Sequence, residues 1–192
     1  MCEKSRKVCD FSKFRLRSLE LQDGDRILEW RNASVIRTSM INDKIIDPVE
    51  HATWLKRTLV DAARTYFVFE VEAEAAGVIG FYAMDDERLH AEWSFYLRPT
   101  GVPRGAGTVM GFLALEWLFL EAKVFALKSE VISANQRSLR MHRRLGFSEN
   151  GVQRRVRRNG MWLDLIELSL NAEDWSRIRD EKCADIVKYI GG

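Results

Sequence analysis

The sequence predicts one mixed α/β domain, and three observations carry that reading. Stretches that alternate apolar and polar residues, as strands do, are interleaved with stretches whose apolar residues fall three and four apart, as in helices. The length of 192 residues suits one core, with no linker-like run, no internal repeat and only three prolines. A balance of 46% hydrophobic and 30% charged residues is that of a globular chain rather than a disordered or membrane-embedded one.

Each element has its own signal. FRLRSL (Phe14 to Leu19) alternates like a strand, and Ile27, Leu28 and Trp30 then form a helical stripe within Asp23 to Asn32. DPVEH predicts a helix from Pro48 to about Asp61, with Asp47 as cap, Pro48 in the first turn and Glu50 placed to reach back. YFVFEVEA and AGVIGFYAM read as a hairpin with its turn near Glu74 to Gly77. HAEWSFYLRP alternates with Trp93, Phe95 and Leu97 on one face and Glu92, Ser94 and Tyr96 on the other. Further on come a strand near Ala126 to Ile132, a helix from Asn135 to Leu145, and strands at Gly151 to Arg158 and Met161 to Leu170. NAEDW then caps a last helix, about 172–190, carrying Trp175, Ile178, Ile186 and Ile190 on one side.

Charge and cysteines narrow the function classes. Thirty basic against 28 acidic residues leave a net charge of +2, no whole-protein field to draw in nucleic acid. MCEKSRKVCDFSKF has no apolar segment behind its charges and no run is long enough to span a membrane, so the cytoplasm is the expected compartment. Cys2, Cys9 and Cys183 lack any Cys-x-x-Cys or histidine spacing and read as free thiols in a reducing compartment. Arginines 137, 140, 143, 144, 154, 155, 157 and 158 form a basic region, read as a solvated face or as a seat for phosphates. No aromatic interleaving of the kind that stacks bases accompanies it.

GVPRGAG, followed by a long apolar run, places glycines where a helix begins, and unpaired amides at a helix start bind phosphate. Two familiar phosphate loops fail here: no lysine follows Gly107, and Met110 stands where the dinucleotide loop needs its third glycine. A structural alternative is a glycine-rich turn capping a buried helix.

Arg104-Gly105-Ala106-Gly107-Thr108 resembles the pyrophosphate loop of the GNAT superfamily of acyl-CoA N-acyltransferases, with Val102 where Gln or Arg is usual. SANQRSLRMHRRLGF resembles the segment of that superfamily whose Asn starts a helix beside the pantetheine arm. LEWRN, IIDPVEH, YFVF, FYLRP and RRNGMWLDLIEL together resemble one branch, the N-acetyltransferases of pseudaminic acid biosynthesis (the PseH family). The similarity covers roughly residues 14–170 of a single domain spanning 1–192.

The resemblance implies a central, mostly antiparallel sheet of about seven strands with helices on both faces. It implies acetyl-CoA as cosubstrate, no metal, and transfer to the 4-amino group of a UDP-linked amino sugar; a protein N-terminus, a polyamine or a silent coenzyme-binding module are the alternatives. Leu97, Arg98, Arg104, Gly105, Ala106, Gly107, Thr108, Asn135, Ser138 and Arg143 would lie at the coenzyme, with the Leu97 amide meeting the developing oxyanion. Many members place a tyrosine seven residues after the Asn to protonate the departing sulfur, and here His142 holds that place as general acid. Leu139 and Leu145 flank it, so the alternative is a packed core histidine. Glu92 or His51, through water, would deprotonate the amine, with His51 kept neutral by its helix start. Arg31 would meet the nucleotide phosphates and Tyr96 the acetyl group or sugar. Loops such as Asp85 to Leu89 would shape acceptor specificity, and the late strands and last helix make a homodimer the expected assembly.

Overall fold

The computed structural model describes residues 9–83 and 89–191. Seven strands form one sheet: β1 (Phe14–Ser18), β2 (Arg64–Val71), β3 (Glu74–Ala83), β4 (His90–Leu97), β5 (Ala126–Ile132), β6 (Ser148–Arg158) and β7 (Met161–Asn171). Their order is β1-β2-β3-β4-β5-β7-β6, and every neighbouring pair is antiparallel except β4 and β5. Helices α1 (Gly24–Asn32), α2 (Ser34–Arg37) and α3 (Pro48–Thr58) precede β2; α4 (Ala106–Glu116), α5 (Gln136–Leu145) and α6 (Ala172–Gly191) follow β4, β5 and β7. This is the mixed α/β architecture that the sequence predicts.

The sheet separates two cores. Phe112, Leu115 and Trp175 of α4 and α6 pack with Trp93, Leu127, Leu139 and Leu168 on one face, and Ile27, Trp30 and Leu55 of α1 and α3 cover Val68 and Val78 on the other. Alternation along β4 serves both: Trp93 is buried in the first core, and Tyr96 packs against the second.

Local chemistry sets the boundaries. Asp47 caps α3 by accepting the amides of Val49 (2.8 Å) and Glu50 (3.3 Å). Asn171 caps α6 by accepting the Asp174 amide at 2.8 Å. The β2–β3 turn is tighter than expected: Glu72 and Ala73 take left-handed backbone at φ 51° and 66°, which matches the twist of a two-residue hairpin, and Glu74 to Gly77 lie within β3. Gly77 instead permits close packing, since a Cβ there would come within 2.7 Å of Leu97 Cδ2 and 2.8 Å of the Tyr96 carbonyl. The sequence reading did not anticipate α2, the 3-10 turn Leu21–Asp23 or the π-helical turn Trp117–Glu121.

Arg17 ties the start of α1 to the sheet. Its guanidinium meets both Asp23 oxygens (2.6 and 2.7 Å) and, through Nε, Glu70 (2.7 Å); Arg15 also pairs with Glu70. Burial alone would raise the two carboxyl groups, but Arg17 on Asp23, and Arg15 with Arg17 on Glu70, hold both below the ordinary range.

Two expectations are corrected here. Cys9 and Cys183 are not free thiols: they form a disulfide with Cα atoms 5.9 Å apart, across a sequence separation of 174 that spacing rules cannot see. Cys2 and residues 85–88 of the specificity loop lie outside the described residues. The apolar stripe of α6 is buried within the chain, with Trp175, Cys183 and Ile186 in the core and Ile178 and Ile190 packed against it, so it offers no dimer face. Among the described residues no helix is long and apolar enough to cross a membrane.

Candidate active site

The sheet opens at its centre. β4 and β5 pair only from His90–Ala126 to Glu92–Lys128, after which the strands part, leaving a wedge between Trp93–Leu97 and Ser129–Ile132. The Arg98 amide donates to the Ala76 carbonyl, continuing the β3 ladder. Strand alternation then turns the amides of Phe95 and Leu97 away from β3 and toward the wedge. The expected oxyanion donor at Leu97 therefore faces open space between two strands.

The glycine turn lies where β4 hands over to α4. Gly105 is the helix cap at φ 83°, a conformation that favours glycine. The Ala106 amide returns to the Pro103 carbonyl (3.2 Å), and those of Thr108 and Val109 to the Gly105 carbonyl (2.8 and 3.1 Å). Among the described residues this leaves the amides of Gly105 and Gly107 as open donors, at the positive end of α4. Arg98 braces the turn from behind, donating to the Gly101 carbonyl at 2.7 Å and pairing with Glu74 at 3.3 Å. Arg104 lies over the ring of Tyr189, 4.7 Å from its centroid.

On α5, the Asn135 side chain caps the helix by accepting the Ser138 amide at 3.1 Å. Arg143, expected at the coenzyme, forms a two-point pair with Glu149 on β6 (2.5 and 3.2 Å). The basic region is likewise divided: Arg154 pairs with Glu130, Arg155 with Asp164 and Arg158 with Asp43.

His142 is fully buried at the apex of the wedge. Its Nδ1 lies 2.9 Å from the Ser138 carbonyl, which makes that nitrogen the protonated one; Nε2 accepts the Trp93 indole N–H at 3.2 Å and lies 2.9 Å from Ser129 Oγ. Burial pushes its pKa down to about 4, against the opposing pull of the Ser138 carbonyl. A partly protonated imidazole near neutrality is thus corrected to a neutral ring whose nitrogens are both engaged.

The opposite face of β4 carries the other predicted residues. Tyr96 donates to the Ile27 carbonyl of α1 at 3.2 Å, and burial raises its pKa. Arg31 donates to the Asn42 carbonyl (2.7 Å) and Arg37 to that of Asp43 (2.5 Å), yet Nη1 of Arg31 and Nε of Arg37 are buried with no partner. Burial lowers the Arg31 pKa, and the neighbouring Arg37 charge lowers it further while Tyr96 opposes. His51 is buried against Trp54, ring centroids 5.1 Å apart, and burial rather than its helix start is what chiefly lowers its pKa. Glu92 is exposed, on the same face as Tyr82, its cross-strand partner. The tip of the β6–β7 hairpin encloses this face: Arg158 donates to the carbonyls of Thr38 (3.1 Å) and Met40 (2.5 Å), and Asn159 to Asp43 (2.8 Å).

Coenzyme-side and acceptor-side candidates thus fall on opposite faces of the sheet and meet at the wedge. Arg37, Ser129 and Tyr189 escaped the sequence reading and carried no local signal, whereas Arg144 was legible only as one of the eight arginines of the basic region.

Comparison with known proteins agrees with this geometry. The GNAT acetyltransferase domain family model matches residues 13–148. Acetyltransferase PseH of Campylobacter jejuni is 27% identical over 142 residues, covering 74% of this chain and 84% of that protein. L-methionine sulfoximine/L-methionine sulfone acetyltransferase of Pseudomonas aeruginosa is 30% identical over 170 residues, covering 82% and 94%. Among solved structures, spermidine N-acetyltransferase from Vibrio cholerae in complex with CoA and spermine superimposes with a TM-score of 0.78 at 19% identity, covering 86% of this chain and 99% of that one.

Proposed function

The chain belongs to the GNAT family of acetyltransferases and is an acetyl-CoA-dependent N-acetyltransferase, and from that premise we propose that its acceptor is an anionic amine, the 4-amino group of a UDP-linked amino-dideoxy sugar. The observation that carries this is the pair Arg31 and Arg37, two guanidiniums with buried, unpartnered N–H groups on the acceptor face beside Tyr96. Two like charges left this way call for an anion with several acceptor oxygens, which a nucleotide diphosphate supplies. A polyamine would add charge of the same sign and leave those donors orphaned. An amino-acid acceptor, of the kind named for the Pseudomonas relative, is the second reading, because its carboxylate also suits Arg31.

The coenzyme supplies an activated acetyl thioester, and the residues of this chain do the rest. The amides of Gly105 and Gly107 grip the diphosphate at the start of α4. The Leu97 amide donates to the acetyl oxygen as charge builds there. Glu92, or the neutral His51, accepts the amine proton through water, and solvent returns one to the departing thiolate. His142 acts as a positioning residue, holding β4, β5 and α5 at the spacing the wedge needs. A cytoplasmic location belongs to the same proposal. So does a homodimer through β6, whose outer edge is exposed and, among the described residues, unpaired.

Thiol release from acetyl-CoA with a UDP-4-amino sugar, methionine sulfone and spermidine as separate acceptors tests the reading. The sugar should give the highest kcat/KM, with Arg31→Gln and Arg37→Gln losing most of it. A preference for spermidine, unaltered by either substitution, overturns it.

A further inference from the structure

We infer that Tyr189, on the last turn of α6, is a positioning residue for the coenzyme, holding Arg104 and Arg144 together at the mouth of the glycine turn so that both face phosphate. Three elements converge there. Arg144, near the end of α5, lies with Cζ 3.9 Å from the Tyr189 ring centroid, and Arg104, from the turn itself, lies 4.7 Å from it. The ring also abuts the helix cap: a Cβ at Gly105 would come within 3.1 Å of Tyr189 Cδ1 and 2.6 Å of Ile190 Cγ2.

Placement on one ring, not charge alone, marks this pair. Arg143, Arg154, Arg155 and Arg158 each have a carboxylate partner, whereas among the described residues Arg104 and Arg144, like Arg137, Arg140 and Arg157, have none, and of these five only Arg104 and Arg144 lie over Tyr189. Two uncompensated cations therefore stand beside the open amides of Gly105 and Gly107. Arg104 first and Arg144 second also hold the Tyr189 hydroxyl below its ordinary range.

A flexible arginine loses side-chain freedom when it binds an anion, and a guanidinium already stacked on a ring has lost much of it beforehand. Val102 occupies the position where the resemblance places a basic side chain, so the charge has to be brought from elsewhere. α6 is a firm base from which to bring it, anchored by buried Trp175 and by the Cys9–Cys183 disulfide.

This inference rests on the proposed seat of the coenzyme at the glycine turn, and the test keeps the two apart. Isothermal titration with acetyl-CoA and with its 3'-dephospho form is run on the full chain and on Tyr189→Leu, Tyr189→Phe, Arg144→Gln, the Leu/Gln double variant and Gly107→Pro, the last removing one open amide. Tyr189→Leu should weaken acetyl-CoA binding about fivefold and raise its KM with kcat unchanged, while Tyr189→Phe, which keeps the ring, stays within about twofold. The double variant should bind better than the product of the two single losses, because only Arg104 is then left for the ring to position. Loss of the Tyr189→Leu effect with the dephospho form assigns the clamp to the 3'-phosphate, and its persistence to the diphosphate. Tyr189→Leu binding as wild type while Gly107→Pro binds weakly, or an additive double variant, overturns the clamp and leaves the seat standing. If neither Tyr189→Leu nor Gly107→Pro alters affinity, both fall.

Discussion

Nε2 of His142 and Oγ of Ser129 lie 2.9 Å apart, which latches α5 to β5 where β5 leaves β4. Trp93 completes the latch from β4. On the positioning role proposed above, a ring held neutral by burial shapes the groove without exchanging protons with what lies in it.

His142→Ala should therefore act first on stability. Losing a fully buried ring and orphaning its partners costs about 2–4 kcal/mol, read by urea unfolding. Activity should fall because the wedge relaxes, and the pH profile of whatever remains should keep its shape. A lost ionisation in that profile would return the ring to the acid role.

Acid should destabilise the protein in two overlapping windows. The folded pKa of His142, about 4, lies below its unfolded value, so the unfolded chain binds the extra proton and stability drains away as pH falls from about 6.5 toward 4, by on the order of 3 kcal/mol. Asp23 and Glu70 are also depressed, so what they add is present above the unfolded carboxylate pKa and is lost as pH falls through their folded values. Thermal melts from pH 7.5 to 3.5 should show both, and Arg17→Met should remove much of the second.

Gly105→Ala should be harmful on two counts. The φ of 83° costs an L-residue about 1 kcal/mol or more, and the new methyl meets Ile190 and Tyr189. We expect a lower Tm together with weaker acetyl-CoA binding, measured by scanning fluorimetry with and without coenzyme. An unchanged Tm would show that α6 does not press on the cap.

The disulfide is open to direct chemistry. Non-reducing peptide mapping should recover Cys9 joined to Cys183, and reduction or Cys183→Ser should lower stability by about 2–4 kcal/mol. Complete alkylation of both cysteines in unreduced native protein contradicts the bond.

Legibility in the sequence followed the range of the interactions. Asp47-Pro48, the alternation of His90 to Leu97 and Asn135 at the start of α5 are local signals, and the elements they announce lie where they were expected. The β2–β3 turn misled because Gly77 looked like its pivot, while Glu72 and Ala73 took the left-handed backbone without a glycine. His142 was placed correctly along α5, but its protonation follows from its burial, to which Trp93 of β4 and Ser129 of β5 come from elsewhere in the chain. Cys9–Cys183 and the Tyr189 cluster join distant parts of the chain, and nothing in the spacing of residues encodes such a meeting.

The parting of β4 from β5 turns the sheet into a partition with a doorway. The residues proposed for one reactant hang on α1, α2 and the β6–β7 hairpin, and those proposed for the other on α4, α5 and α6, so on this reading mutation can redecorate either room without disturbing its neighbour. A lineage built this way can change the molecule it modifies many times over and keep the donor it began with.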